Sequence, residues 1–96
     1  MSRVKIDAID YKASFDKDFG KAPPNVRVAA ADALKELMKN PQPAKLRLHS
    51  LHGCFSPRIL KIDVFPNRSW QITFEMDGTT AILRRLATHR DINRRP

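Results

Sequence analysis

Most of what constrains this chain lies between Arg58 and Arg90, where apolar and polar residues alternate in successive runs. Leu60, Ile62 and Val64 alternate with Lys61 and Asp63. Trp70, Ile72, Phe74 and Met76 alternate with Gln71, Thr73 and Glu75. A third run follows from Thr79 to Arg85. Successive side chains of a strand point to opposite faces, so each run predicts a strand with one buried and one solvated face. Phe65-Pro66-Asn67-Arg68 predicts a turn between the first two runs. Asp77-Gly78 predicts a two-residue hairpin between the last two, because both residue types tolerate positive φ. Residues 58–86 therefore read as a three-stranded antiparallel meander.

The rest of the chain reads as the cover for the apolar face of that sheet. Val4, Ile6 and Ala8 alternate with charged neighbours and predict a short first strand. Asp10 is placed to cap a helix, and Tyr11, Phe15 and Phe19 fall on one face of it at four-residue spacing, with Gly20 ending it. Pro23-Pro24 breaks the pattern, Asn25 follows, and a second helix runs to about Lys39. Its apolar stripe is Val26, Ala29, Ala30, Ala33, Leu34, Leu37 and Met38, and Asn40-Pro41-Gln42-Pro43 stops it. Leu46 and Leu48 predict a further short strand, and Leu51-His52-Gly53 a turn. The segment from Ala87 to Pro96 reads as one or two helical turns or a tail. In order this gives β-α-α-β-β-β-β, and helices followed by strands point to an α+β layer fold. The fold class is a helical hairpin packed on one face of a small, mostly antiparallel sheet. With 96 residues the chain is predicted to be a single domain, 1–96.

Charge points toward a partner. The chain carries 18 Lys+Arg against 10 Asp+Glu, net +8. Residues 1–44 hold 8 basic and 6 acidic side chains, whereas residues 45–96 hold 10 and 4, so the excess belongs to the sheet half. Such a half-domain suits a polyanion or an acidic protein. One cysteine, Cys54, excludes an internal disulfide framework. The first residues show no signal-peptide core, and no run approaches the roughly 20 apolar residues of a membrane span. A cytoplasmic protein without a membrane partner is the expectation.

The site candidates follow from what is missing as well as what is present. With only Gly20, Gly53 and Gly78, there is no phosphate-binding glycine loop. His49, His52 and Cys54 are three zinc-type ligands without a fourth, so no metal site and no cofactor are predicted. Cys54 beside His52 lacks an orienting group for nucleophilic chemistry. The positive signal is the set Arg58, Lys61, Arg68, Arg84, Arg85, His89 and Arg90, drawn from adjacent strands and the segment after them. Cations converging on one sheet face can bind a phosphodiester and stabilise charge developing on it. Arg84 and Arg85 are adjacent, so in a regular strand they face opposite ways and one of them lines the site. An imidazole at His89 can exchange a proton near neutral pH.

These features resemble the RelE/ParE superfamily of bacterial toxins from type II toxin–antitoxin modules, including its HigB-like branch. The resemblance rests on the element order along nearly the whole chain and on several local marks. Leu51-His52-Gly53 is similar to the family's Leu-x-Gly, and Leu60 to Val64 to its basic strand. Asn67-Arg68-Ser69-Trp70-Gln71-Ile72-Thr73-Phe74 is similar to its aromatic–Arg–Ile–x–Phe strand. The Asp77-Gly78 hairpin and Thr88-His89-Arg90 are similar to its last strand and terminal polar motif. Gln71 stands where many RNA-cleaving members have arginine. The resemblance implies a RelE-like fold and an endoribonuclease that cuts mRNA, commonly on the ribosome, without a metal. Lys61 or His89 would transfer protons, with Arg68, Arg84 and Arg85 stabilising charge, and Arg58, Gln71 and Arg90 binding flanking RNA. The rival reading is a ParE-like inhibitor of DNA gyrase that cuts nothing, and a third is a basic module whose main partner is its antitoxin. Either toxin class implies a cognate antitoxin.

Overall fold

The computed structural model describes residues 5–39, 42–55 and 58–96, and of residues 51–55 the backbone only. Its elements are β1 (Ala8–Tyr11), α1 (Ala13–Lys21), α2 (Pro24–Leu37), a single 3₁₀ turn (Ala44–Leu46), β2 (His49–Phe55), β3 (Arg58–Asp63), β4 (Trp70–Asp77), β5 (Thr80–Thr88) and α3 (His89–Arg94). The five strands form one sheet in the order β1-β5-β4-β3-β2. Strands β2 to β5 pair antiparallel in sequence, and β1 joins β5 in parallel. This is the expected α+β arrangement with its three-stranded meander. No helix among the described residues is long and apolar enough to cross a membrane.

The core lies between the two long helices and one face of the sheet. Phe15 of α1 and Val26, Ala30, Ala33 and Leu37 of α2 pack with Leu60, Ile62, Ile72, Phe74, Leu83 and Leu86. In β3 and β4 the core residues come from every second position, in β5 Leu83 and Leu86 are three apart, and cross-strand register lines them up: Ile62 opposes Ile72, which opposes Leu86. Leu34 and Trp70 are only partly buried against this cluster.

Local details depart from the sequence reading for identifiable reasons. Val4 lies outside the described residues, and the first strand starts at Ala8, with Ile6 already buried ahead of it. Asp10 does not cap α1; its carboxylate accepts from the Tyr11 amide at 2.8 Å while β1 pairs with β5. Tyr11 therefore belongs to the strand, and the helix starts after Lys12 with no side-chain cap. Gly20 sits within α1, and the cap is Ala22, whose N–H donates to the Phe19 carbonyl. Helix α2 ends at Leu37, whose carbonyl accepts from the Gln42 side chain at 2.9 Å.

The largest local difference follows α2. Leu46 is not in a strand. It is 2% exposed in the 3₁₀ turn, and Arg47 after it has φ 51°, a left-handed backbone that stops an extended run. The strand begins at His49 instead, and its backbone runs through the expected turn at Leu51-His52-Gly53, with irregular register between Ser50 and Phe55. The β4–β5 loop is also shifted by one residue. Asp77 still pairs with Thr80, so the loop is Gly78-Thr79, with Gly78 at φ 61° in the glycine-first pattern of tight hairpins.

The second face of the sheet is covered too, which the alternation did not suggest. Gln71 and Thr73 are 1% and 0% exposed, so β4 has no solvated face over this stretch. The cover is α3 and the residues after it. Thr88 caps α3 by accepting from the Asp91 amide, Ile92 is fully buried, and the Pro96 main-chain oxygen accepts from the Thr73 hydroxyl at 2.8 Å. The end of the chain is thus folded down onto the polar face of the meander.

Candidate functional site

On that polar face, Lys61 and Asp63 of β3 stand beside Thr73 and Gln71 of β4 in direct cross-strand register. All four are buried. Burying charge and amide groups is costly unless each finds a partner; here Lys61, Gln71 and Asp63 find one another, while Thr73 donates to Pro96. The Lys61 ammonium donates to Gln71 Oε1 at 3.4 Å, and Gln71 Nε2 donates to Asp63 Oδ1 at 2.9 Å. His89 Nδ1 lies 3.3 Å from the same Oε1, and Asn93 Nδ2 lies 3.2 Å from His89 Nε2. Asp63 Oδ2 accepts no hydrogen bond among the described residues, but Arg47 Nε stands 3.3 Å away as an ion-pair contact. A chain of polar contacts therefore runs Arg47–Asp63–Gln71–His89–Asn93, with Lys61 joined at Gln71.

Burial is the main influence on Lys61. Removing the ammonium from water pushes its pKa below the ordinary lysine value, and the Arg47 and Arg68 charges push the same way, with Asp63 opposing. Arg68 is exposed in the turn between β3 and β4 and has φ 62°. Its turn, from Pro66 to Ser69, lines a shallow recess with His89. The His89 amide donates to the Ser69 carbonyl at 3.2 Å, which ties the start of α3 to that turn. Lys61, Arg68, Gln71 and His89 thus come together as one site.

The remaining sequence candidates lie elsewhere. A β-bulge interrupts the β4–β5 ladder: Thr73 opposes Arg85 and Phe74 opposes Leu83, which leaves Arg84 as the extra residue. Helix α1 stabilises it, since Asp18 accepts from the Leu86 amide and the Ser14 hydroxyl donates to the Arg84 carbonyl. The two arginines consequently do not divide between faces as in a regular strand. Arg84 donates to Glu75 and to the Pro96 main-chain oxygen, and Arg85 to Asp18 and to the Arg95 main-chain oxygen. Both guanidinium groups are ion-paired inside the protein. Arg58 donates to the Ser50 hydroxyl, and strand alternation puts it in the row of Leu60 and Ile62 rather than that of Lys61. Arg90 is exposed, next to His89 on α3. The side chains of His52 and Cys54 fall outside the described residues, and His49 Nδ1 contacts the Arg47 main-chain oxygen.

Three members of the site escaped the sequence reading. Asp63 was visible as the partner of Lys61 two residues along a strand, on the same face. Asn93 lies one helical turn beyond His89, the i,i+4 spacing at which side chains meet. Arg47 depends on its left-handed backbone, for which the sequence carries no signal.

Glu75, at the rim, is held between Lys12 and Arg84. Burial raises its pKa, but hydrogen bonds and charge from Arg84 and Lys12 outweigh this, and the net shift is downward from 4.5. A carboxylate with a depressed folded-state pKa adds stability above its unfolded value, and that stability is lost as pH falls through the folded value. The Glu75→Gln variant is expected to lose less stability than the parent on acidification below about 4.5, read by denaturant unfolding across pH. Parallel pH profiles would show that Glu75 makes no such contribution.

No family model and no curated protein sequence matches the chain. Solved structures do match. A chain of the Escherichia coli DinJ–YafQ toxin–antitoxin complex superposes with TM-score 0.70 at 20% identity, covering 93% of this chain and 98% of that one. A chain of the RelB–RelE antitoxin–toxin complex from Methanococcus jannaschii gives 0.69 at 22%, covering 91% and 98%. YafQ alone, from E. coli strain BL21(DE3), gives 0.65 at 23%, covering 92% and 98%. The fold is RelE-like across nearly the whole chain.

Proposed function

We propose that this chain is the toxin of a toxin–antitoxin module and that its Lys61–His89 face cuts mRNA without a metal. The observation that carries the reading is the meeting of Lys61 and His89 on one acceptor, Gln71 Oε1, beside the Arg68 turn. Two groups able to transfer protons, held on one acceptor, support this reading. Similar structures are of a toxin with its antitoxin, which supports a cognate antitoxin as the protein partner here.

The chemistry follows from the groups. His89 Nε2 takes the proton of a ribose 2′-OH, and the oxygen attacks the adjacent phosphorus. Arg68 stabilises charge on the pentavalent phosphorus. The bond to the 5′-oxygen breaks, leaving a 2′,3′-cyclic phosphate. Lys61, made a better acid by its burial, protonates the departing oxygen. Arg90, exposed beside His89, binds a flanking phosphate. Arg84 and Arg85 contribute only by exchanging Glu75 and Asp18 for RNA.

That pairing favours a second reading. Two of the expected cations are neutralised internally and Gln71 replaces an arginine, which suits a ParE-like gyrase inhibitor that binds without cutting. Primer extension on mRNA from cells expressing this chain, beside a gyrase supercoiling assay, separates them. Defined cleavage stops with unimpaired gyrase are expected. Intact mRNA with inhibited supercoiling would move the chain to the second reading. RNA affinity is expected to fall with salt with a log–log slope of roughly −1.4, about −0.7 for each of Arg68 and Arg90. A flat dependence would exclude phosphate contacts at these residues.

A further inference from the structure

We infer that Gln71 is a positioning residue that fixes His89 in its Nδ1–H tautomer, leaving Nε2 bare as the proton acceptor. The orientation of the Gln71 amide is determined by its neighbours. Lys61 can only donate and the ionised Asp63 can only accept. The oxygen must therefore face Lys61, at 3.4 Å, and the nitrogen must face Asp63, at 2.9 Å. Flipping the amide would put donor against donor and acceptor against acceptor. With Oε1 fixed as an acceptor, His89 Nδ1 at 3.3 Å must carry its proton. A neutral imidazole has one N–H, so Nε2 has the lone pair.

The other side of the ring agrees. Asn93 Nδ2 stands 3.2 Å from Nε2, a contact in which the amide donates when Nε2 has the lone pair. Asn93 is exposed on α3, so its amide is free to turn and offer oxygen once Nε2 is protonated. The tautomer matters because the opposite form would present an N–H to the attacking hydroxyl and could not take its proton. Free histidine in water favours that opposite form, and the acceptor at Nδ1 inverts the preference. Gln71 is 1% exposed, and both lone pairs of Oε1 are engaged by Lys61 and His89. An amide so placed orients the ring and does not touch RNA.

The test is the ring nitrogen spectrum of the ¹⁵N-labelled full chain, by long-range ¹H–¹⁵N correlation at a pH where His89 is neutral. The wild type is expected to show a protonated Nδ1 and a bare Nε2; a bare Nδ1 overturns the inference. Gln71→Met removes the acceptor and is expected to shift the ring toward the Nε2–H form, while Gln71→Glu retains Nδ1–H. A Met variant that keeps Nδ1–H, or a Glu variant that loses it, overturns the role of Gln71. If the Met variant does not fold, the wild type and the Glu variant still decide. Asn93→Ala is expected to leave Nδ1–H in place, and a switch there would transfer the role to Asn93. The catalytic consequence rests on the RNA-cutting reading. Gln71→Met is then expected to lower kcat roughly 10²-fold or more with little change in KM, and full-rate cleavage by a variant whose tautomer has switched overturns that consequence. A chain that shows Nδ1–H yet cuts no RNA upholds the tautomer and refutes the RNA-cutting reading alone.

Discussion

On the proposed RNA-cutting reading, the His89→Ala variant is expected to cleave RNA roughly 10²–10⁴-fold more slowly than the parent, the range for loss of a general acid or base. Its RNA affinity should barely change, because a neutral imidazole adds little attraction for phosphate. The fold should survive, since His89 is exposed at the start of α3 and that helix keeps its Thr88 cap and its buried Ile92. Arg68→Ala should behave differently, weakening affinity and rate together, because a cation serves both the bound phosphate and the charge building on it. Single-turnover cleavage beside equilibrium binding reads both effects. Undiminished cleavage by His89→Ala would remove the imidazole from the mechanism, and a parallel loss of binding would make it a contact residue instead.

Phe74→Ala is expected to cost about 3–5 kcal/mol of stability, as for other large-to-small changes in a packed core. Phe74 is fully buried and opposes Leu60 on one side and Leu83 on the other, beneath the helices. Against a total of roughly 5–15 kcal/mol for a small domain, this approaches the whole stability of the fold at the lower end. Thr73 is equally buried, but its hydroxyl donates to Pro96 on the opposite face. Chemical denaturation gives the value, and a change within half a kcal/mol would mean that the face packed against the helices had been misassigned.

The main elements were legible because their periodicity is set by burial. Ile72 and Phe74 could be assigned to the core from the two-residue alternation, and Ala30, Ala33 and Leu37 from helical spacing. Placing Gln71 required more. A polar residue in an alternating strand reads as solvated unless something covers that face, and here the cover is α3, too short to show a convincing pattern of its own. The site was legible as residue types, with Lys61, Arg68 and His89 singled out, but its connections were not. Arg84 and Arg85 show why. Their separation onto two faces follows from a regular ladder, and a single extra residue at Arg84, held by Ser14 and Asp18 from a distant helix, cancels it. Bulges and left-handed residues such as Arg47 are local events set by tertiary contacts, and they decide which cations remain free.

The parallel pairing of β1 with β5 also sets an order of assembly. Ala8 has its ladder partner at Thr80, and β5 lies between β1 and β4 in the sheet. During synthesis the first strand and both long helices emerge before the strand they dock on exists. Closing the sheet waits until β5 has been made, and such sequence-distant contacts form slowly because a large loop must be closed first. The site matures last of all, since His89 and Asn93 follow β5. A chain that stops short of residue 93 therefore lacks the contacts joining Lys61, Gln71, His89 and Asn93.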